Sequence, residues 1–133
     1  MNAAAKEVLY NEERSVKQAL ARGFRSKCPA CGKGKLFGKQ LYVVDNCGEC
    51  GEELHHHRAD DLPAYLNIFV VGHVVIGIMM VLMGYLSLSL WPLTFLTVFI
   101  SLVAAFSLMR PLKGVVVGAQ WAFRMHGFGG NDD

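Results

Sequence analysis

The chain predicts a membrane α-helical fold: a hairpin of two transmembrane helices preceded by a small four-cysteine ribbon. The 44 residues from Leu66 to Met109 contain no Asp, Glu, Lys or Arg, whereas charge interrupts a soluble core helix every turn or two. All four cysteines lie in the stretch "CPACGKGKLFGKQLYVVDNCGEC" as two C-x-x-C pairs, each followed by glycine. Of the 13 Lys and Arg, ten precede the apolar run and three follow it.

Residues 1–23 form an N-terminal extension in which Val8, Leu9, Val16 and Leu20 recur at helical spacing among charged residues. That pattern predicts an amphipathic helix lying on the membrane or against a partner. No apolar core of the kind a secretory signal needs occurs there, so no cleavage or export is expected.

The ribbon follows over 24–54. C-x2-C-x15-C-x2-C is a zinc spacing, and in a reducing compartment paired thiols hold metal more often than they form disulfides. Cys28, Cys31, Cys47 and Cys50 are the predicted ligands of one structural Zn2+, since two short turns can each present two thiolates to a tetrahedral ion. Gly32 and Gly51 suit the backbone reversal after each pair, and "KLFGKQLYVV" reads as a short β-hairpin between the two knuckles. A rubredoxin-like iron site would use the same ligands, as would a redox dithiol; zinc is preferred because both pairs stand at ribbon spacing.

Charge divides along the arm. Arg14 to Lys39 is basic without an acidic residue, and Asp45 to Asp61 is acidic apart from Arg58. Beside a bilayer the basic edge favours anionic lipid, and Lys27, Lys33 and Lys35 can offset the thiolates; nucleic acid is not the expected partner.

The junction, 55–65, gathers His55, His56, His57, Asp60 and Asp61. These could form a second polar or metal site together with His73. The plainer account is a polar junction, with an Asp at the start of the first span and Pro63 in its first turn. The spans are placed at 66–86 and 93–109, joined by an outer turn at 87–92 in which Pro92 ends the helix and Trp91 marks the interface. His73 lies about two turns into the hydrocarbon, where an ionisable side chain needs a protein neighbour or cavity; Ser101 falls at the same depth and is its expected hydrogen-bond partner. His73, Gly77, Met80 and Gly84 share one helix face, expected to pack a helix or a partner. Residues 110–133, with Arg110, Lys113, Trp121 and Arg124, are expected to lie in the interface and end in a frayed tail. The basic residues place both termini in the cytoplasm.

"CPACGKGKLF", "CGECG", "HHHRADDLPAY", the "GH" of the first span, "RPLKG" and "QW" together resemble, over about 24–121, the small bacterial inner-membrane proteins of domain-of-unknown-function family 983. The resemblance implies a cytoplasmic zinc ribbon and two transmembrane helices, with Cys28, Cys31, Cys47 and Cys50 as ligands and Asp61, Pro63 and His73 as the family-like junction. It also implies a link to the haem-copper cytochrome c oxidase and its assembly. The resemblance also implies, for many relatives, an acidic residue near the outer end of the first span, where this chain departs and reads "MGYLSLSL". The sequence holds no nucleophile, base and oxyanion constellation, so the expectation is a non-enzymatic accessory or assembly protein docked on an integral-membrane partner; the resemblance implies subunits of the oxidase as that partner. The competing expectations are copper or haem handling and a rubredoxin-like electron carrier.

Overall fold

The computed structural model describes residues 14–58 and 61–129. Three helices occur among them: α1 (Val16–Phe24), α2 (Leu62–Tyr85) and α3 (Leu90–Ala122). The ribbon occupies the chain between α1 and α2.

α2 and α3 have the length and composition to cross a bilayer, and their surfaces separate this fold from a soluble one. Only 17% of the most apolar stretch of α2 is buried in protein, and 0% of that of α3. Side chains such as Ile68, Phe69, Met80, Phe95 and Phe106 stand 64% to 80% exposed, apolar surface that water would penalise and lipid accepts. The protein is a two-span membrane protein.

The helices differ in extent from the spans read in the sequence. α2 begins at Leu62, with Pro63 in its first turn, and the connection to α3 is shorter than expected. Pro92 sits inside the first turn of α3 rather than in the loop, because first-turn N–H groups have no intrahelical acceptor and a proline there loses nothing. The larger difference lies at the far end. α3 continues through Pro111 to Ala122, and its last turns bury Gly114, Val116, Val117, Gly118, Gln120 and Trp121. Residues 110–122 therefore do not lie flat in the interface; they leave the hairpin as one continuing helix and become the core of the four-cysteine head.

α1 packs on that extension. Ala19 and Gly23, four residues apart, meet Gly118 and Gly114, also four apart. A Cβ built on Gly23 would overlap the carbonyl of Gly114, and one built on Gly114 would overlap that of Gly23. Small residues at this spacing let two backbones touch, the device familiar from helices in lipid. The predicted amphipathic helix is thus present over Val16–Phe24 and faces the chain's own α3; Val8 and Leu9 lie outside the described residues.

Ala19, Leu36, Phe37, Val43, Leu54, Val116, Val117, Trp121 and Phe128 form one buried cluster with Cys28 and Cys47. Across it, Arg14 donates to the carbonyl of Trp121 at 2.6 Å and lies 4.4 Å above the indole ring. Gln120 closes the junction: its amide nitrogen donates to the carbonyl of Arg58 at 3.0 Å, and its oxygen accepts from the Arg58 N–H at 2.9 Å.

Candidate metal centre

Each knuckle is a turn closed by backbone hydrogen bonds. The N–H of Gly32 donates to the carbonyl of Cys28 at 2.8 Å, and that of Gly51 to the carbonyl of Cys47 at 2.9 Å. Gly32 and Gly51 have φ of 70° and 75°, the left-handed conformation that a Cβ opposes, as their position after each cysteine pair predicts. Between the knuckles the expected hairpin is reduced to one antiparallel bridge, Phe37 to Val43, and two more bridges, Lys27 to Lys35 and Asn46 to Glu53, flank the cysteine pairs. A ribbon this short cannot fund a sheet; its turns are fixed by hydrogen bonds and by whatever the cysteines hold.

The four Sγ atoms lie within 4.8 Å of one another. Cys28 Sγ stands 3.8 Å from Cys50 Sγ, and Cys31 Sγ stands 3.8 Å from Cys47 Sγ, so each contact joins one knuckle to the other. All four cysteines are free thiols. A tetrahedral ion with metal–sulfur bonds of about 2.3 Å sets its sulfurs about 3.8 Å apart. The residues present fit a tetrathiolate metal ion, a donor set that suits zinc or iron.

The surroundings prepare the thiols for a cation. The N–H groups of Lys33 and Gly34 point at Cys31 Sγ, at 3.4 Å and 3.5 Å. Burial opposes ionisation of Cys31, but those N–H groups and the neighbouring thiols outweigh it and hold its pKa down at about 6. Burial pushes Cys50 up to about 11 and raises Cys28 as well. Four thiols so close cannot all shed their protons without a cation among them. Arg22 braces the first knuckle from α1, donating to the carbonyls of Pro29 and Ala30 at 3.0 Å and 2.8 Å. Trp121 braces the second, its Nε1 donating to Glu52 at 2.9 Å. Neither brace is visible in the cysteine spacing, because both depend on helices brought in from elsewhere in the chain.

The other predicted site residues separate. Glu53, His55 and His56 bring their ligand atoms within 4.8 Å of one another. His57 and Asp61 do not join that group, and Asp60 lies outside the described residues. Asp61 precedes α2 without a side-chain hydrogen bond to its first turn. His73 is remote from the cysteines, within α2, and does not meet Ser101: its Nδ1 pairs with the carbonyl of Phe69 at 2.8 Å, while Ser101 donates to the carbonyl of Thr97. Shared depth in a bilayer does not fix the direction a side chain faces. The polar contact between the spans belongs instead to Asn67, 4% exposed, whose amide nitrogen donates to the carbonyl of Ala105 at 3.0 Å.

The face bearing His73, Gly77, Met80 and Gly84 points away from α3. Met80 is 71% exposed, and a Cβ added at Gly77 or Gly84 would meet nothing within 4 Å. The α3-facing side of α2 is Asn67, Val71 and Val75, which are buried.

The family model described as "Protein of unknown function (DUF983)" matches residues 37–121. The matched stretch includes Cys47, Cys50, the junction, both apolar helices and the α3 extension to Trp121; Cys28 and Cys31 precede it, so the resemblance read from residue 24 reaches further toward the N-terminus. No curated protein and no solved structure matches the chain.

Proposed function

The chain belongs to the DUF983 family of proteins of unknown function, and from that premise we propose a non-enzymatic accessory or assembly protein that docks on an integral-membrane partner, with zinc at Cys28, Cys31, Cys47 and Cys50 folding its head. The carrying observation is the outward face of α2. His73, Gly77 and Gly84 are exposed there, with nothing among the described residues against the glycines, and an ionisable side chain in hydrocarbon calls for a protein neighbour. Small residues let that neighbour approach to backbone contact.

The closed donor set supports a folding role for the metal, since four protein thiolates leave no position for substrate. The head is small, and metal binding substitutes for buried area that so short a ribbon lacks. The sequence resemblance makes the haem-copper cytochrome c oxidase the partner to test first. In that reading the head lies on the cytoplasmic side of a bacterial inner membrane, where its basic residues meet anionic lipid.

A photo-crosslinker placed at Met80 tests the reading in native membranes. Covalent capture of oxidase subunits, lost in Gly77→Leu, is expected; capture confined to lipid, with oxidase content unchanged in a strain lacking the protein, would overturn it. Metal content separates the rivals: stoichiometric iron with a visible spectrum points to an electron carrier, and copper or haem to cofactor handling.

A further inference from the structure

We propose that Glu53, His55 and His56 form a second metal site, open and exchangeable, for a divalent ion of borderline softness such as Zn2+ or Cu2+.

The ligands are two imidazoles and a carboxylate, a donor set that Zn2+ and Cu2+ accept. His56 Nε2 lies 3.2 Å from Glu53 Oε2. With metal–nitrogen and metal–oxygen bonds of about 2.0–2.2 Å, two ligands on one tetrahedral ion stand about 3.4 Å apart, so this pair already has the bite of a chelate. An ordinary surface ion pair would need only these two residues. Here the ring of His55 lies with its centroid 4.0 Å from that of His56, and its ligand nitrogen falls within 4.8 Å of both other donors. A rotation of the exposed His55 side chain closes the remaining gap.

The backbone beneath the three residues is fixed. The N–H groups of Leu54 and His55 both donate to the carbonyl of Asp45, at 2.7 Å and 3.1 Å, and Glu53 bridges to Asn46. The second cysteine knuckle therefore holds the site's floor. The ring of His56 is fixed from the other side. Phe128 meets it edge-on at 5.8 Å, and Gly127, at φ 91°, leaves room where a Cβ would stand 2.7 Å from Nδ1. That contact closes the Nδ1 side of His56 and leaves Nε2, the nitrogen beside Glu53, for a ligand. A pre-set ring orientation is what a metal-binding histidine needs and a solvated one lacks.

Three protein donors leave at least one coordination position for water or for a donor from another molecule. Glu53 and His55 are exposed, so an ion can enter and leave, whereas the four-cysteine centre has Cys28 and Cys47 buried and offers no open coordination position.

The full-length protein, purified in detergent without a polyhistidine tag and dialysed against buffered Zn2+, gives the test. Two zinc ions per chain are expected in the natural protein and one in His55→Ala or Glu53→Gln, whose exposed side chains can be changed without disturbing the fold. Co2+ loading reads the cysteine site separately, through its thiolate-to-metal charge-transfer bands, which should persist in both variants. Cu2+ added to the zinc-loaded protein should displace the second zinc and show coupling to two imidazole nitrogens in its electron paramagnetic resonance spectrum, reduced to at most one in His55→Ala. A single zinc in the natural protein, or a second zinc that survives both substitutions, would sink the proposal.

Discussion

At the residue scale, the chemistry concentrates on Cys31. In the metal-free protein its thiolate is half formed near pH 6, while Cys50 keeps its proton to about 11. Alkylation of chelator-treated protein should therefore rise at Cys31 as pH increases through 6 and level off above it, with Cys50 still slow at pH 8; peptide mapping by mass spectrometry after a short iodoacetamide pulse reads both. Bound metal should protect the two alike. Gly34 supplies a second residue-scale prediction, because a Cβ there would overlap Cys47 Sγ. Gly34→Ala should lower metal affinity at least tenfold, measured by competition with a chromophoric chelator. The cysteines and the glycines after them were legible, since the spacing of a C-x-x-C pair is itself the local geometry. Gly34 was not, because its constraint is a contact with a cysteine thirteen positions further along the chain. The pairing of His73 with Ser101 failed for a similar reason: depth along a helix follows from counting residues, whereas rotation about its axis follows from what the helix packs against.

At the element scale, the crossing of α1 on α3 has no slack. Gly114→Ala places a methyl group against the carbonyl of Gly23, and overpacking of this kind costs about 1–3 kcal/mol. Thermal melts of the head, followed by metal release, should shift down accordingly, whereas Gly77→Ala, with open space around it, should leave the midpoint unchanged. The A-x3-G of Ala19 and Gly23 and the G-x3-G of Gly114 and Gly118 stood in the sequence as a signal for this crossing. Arg110 and Lys113, which close the charge-free run, mask that signal, because they mark a change of surroundings for α3 and not its end. Hydropathy reports the solvent around a helix and says nothing of where its hydrogen bonds stop. Gln120 is illegible for the same reason: its amide pairs with both backbone groups of Arg58 only because α3 runs on past the charged residues.

At the scale of the whole molecule, the head and the hairpin rest on different forces, a small core around the four-cysteine centre in one and an apolar surface suited to lipid in the other. Removing the metal should loosen the head while α2 and the membrane part of α3 persist. In a Trp91→Phe variant, Trp121 is the remaining indole, buried and bonded to Glu52 beside the second knuckle. Its emission should shift to the red on chelation and recover with zinc, while helical circular dichroism falls only slightly. α3 itself joins the two parts. Its 33 residues at about 1.5 Å each make a rod of about 50 Å, roughly 20 Å longer than the hydrocarbon is thick. Such a rod is a lever with its fulcrum in the bilayer: a tilt of about 10° swings its far end by about 6 Å. A thinner membrane, or a neighbour that seats the hairpin at a new angle, would thereby reposition the thiolate cage as a body, with no message passing through a loop.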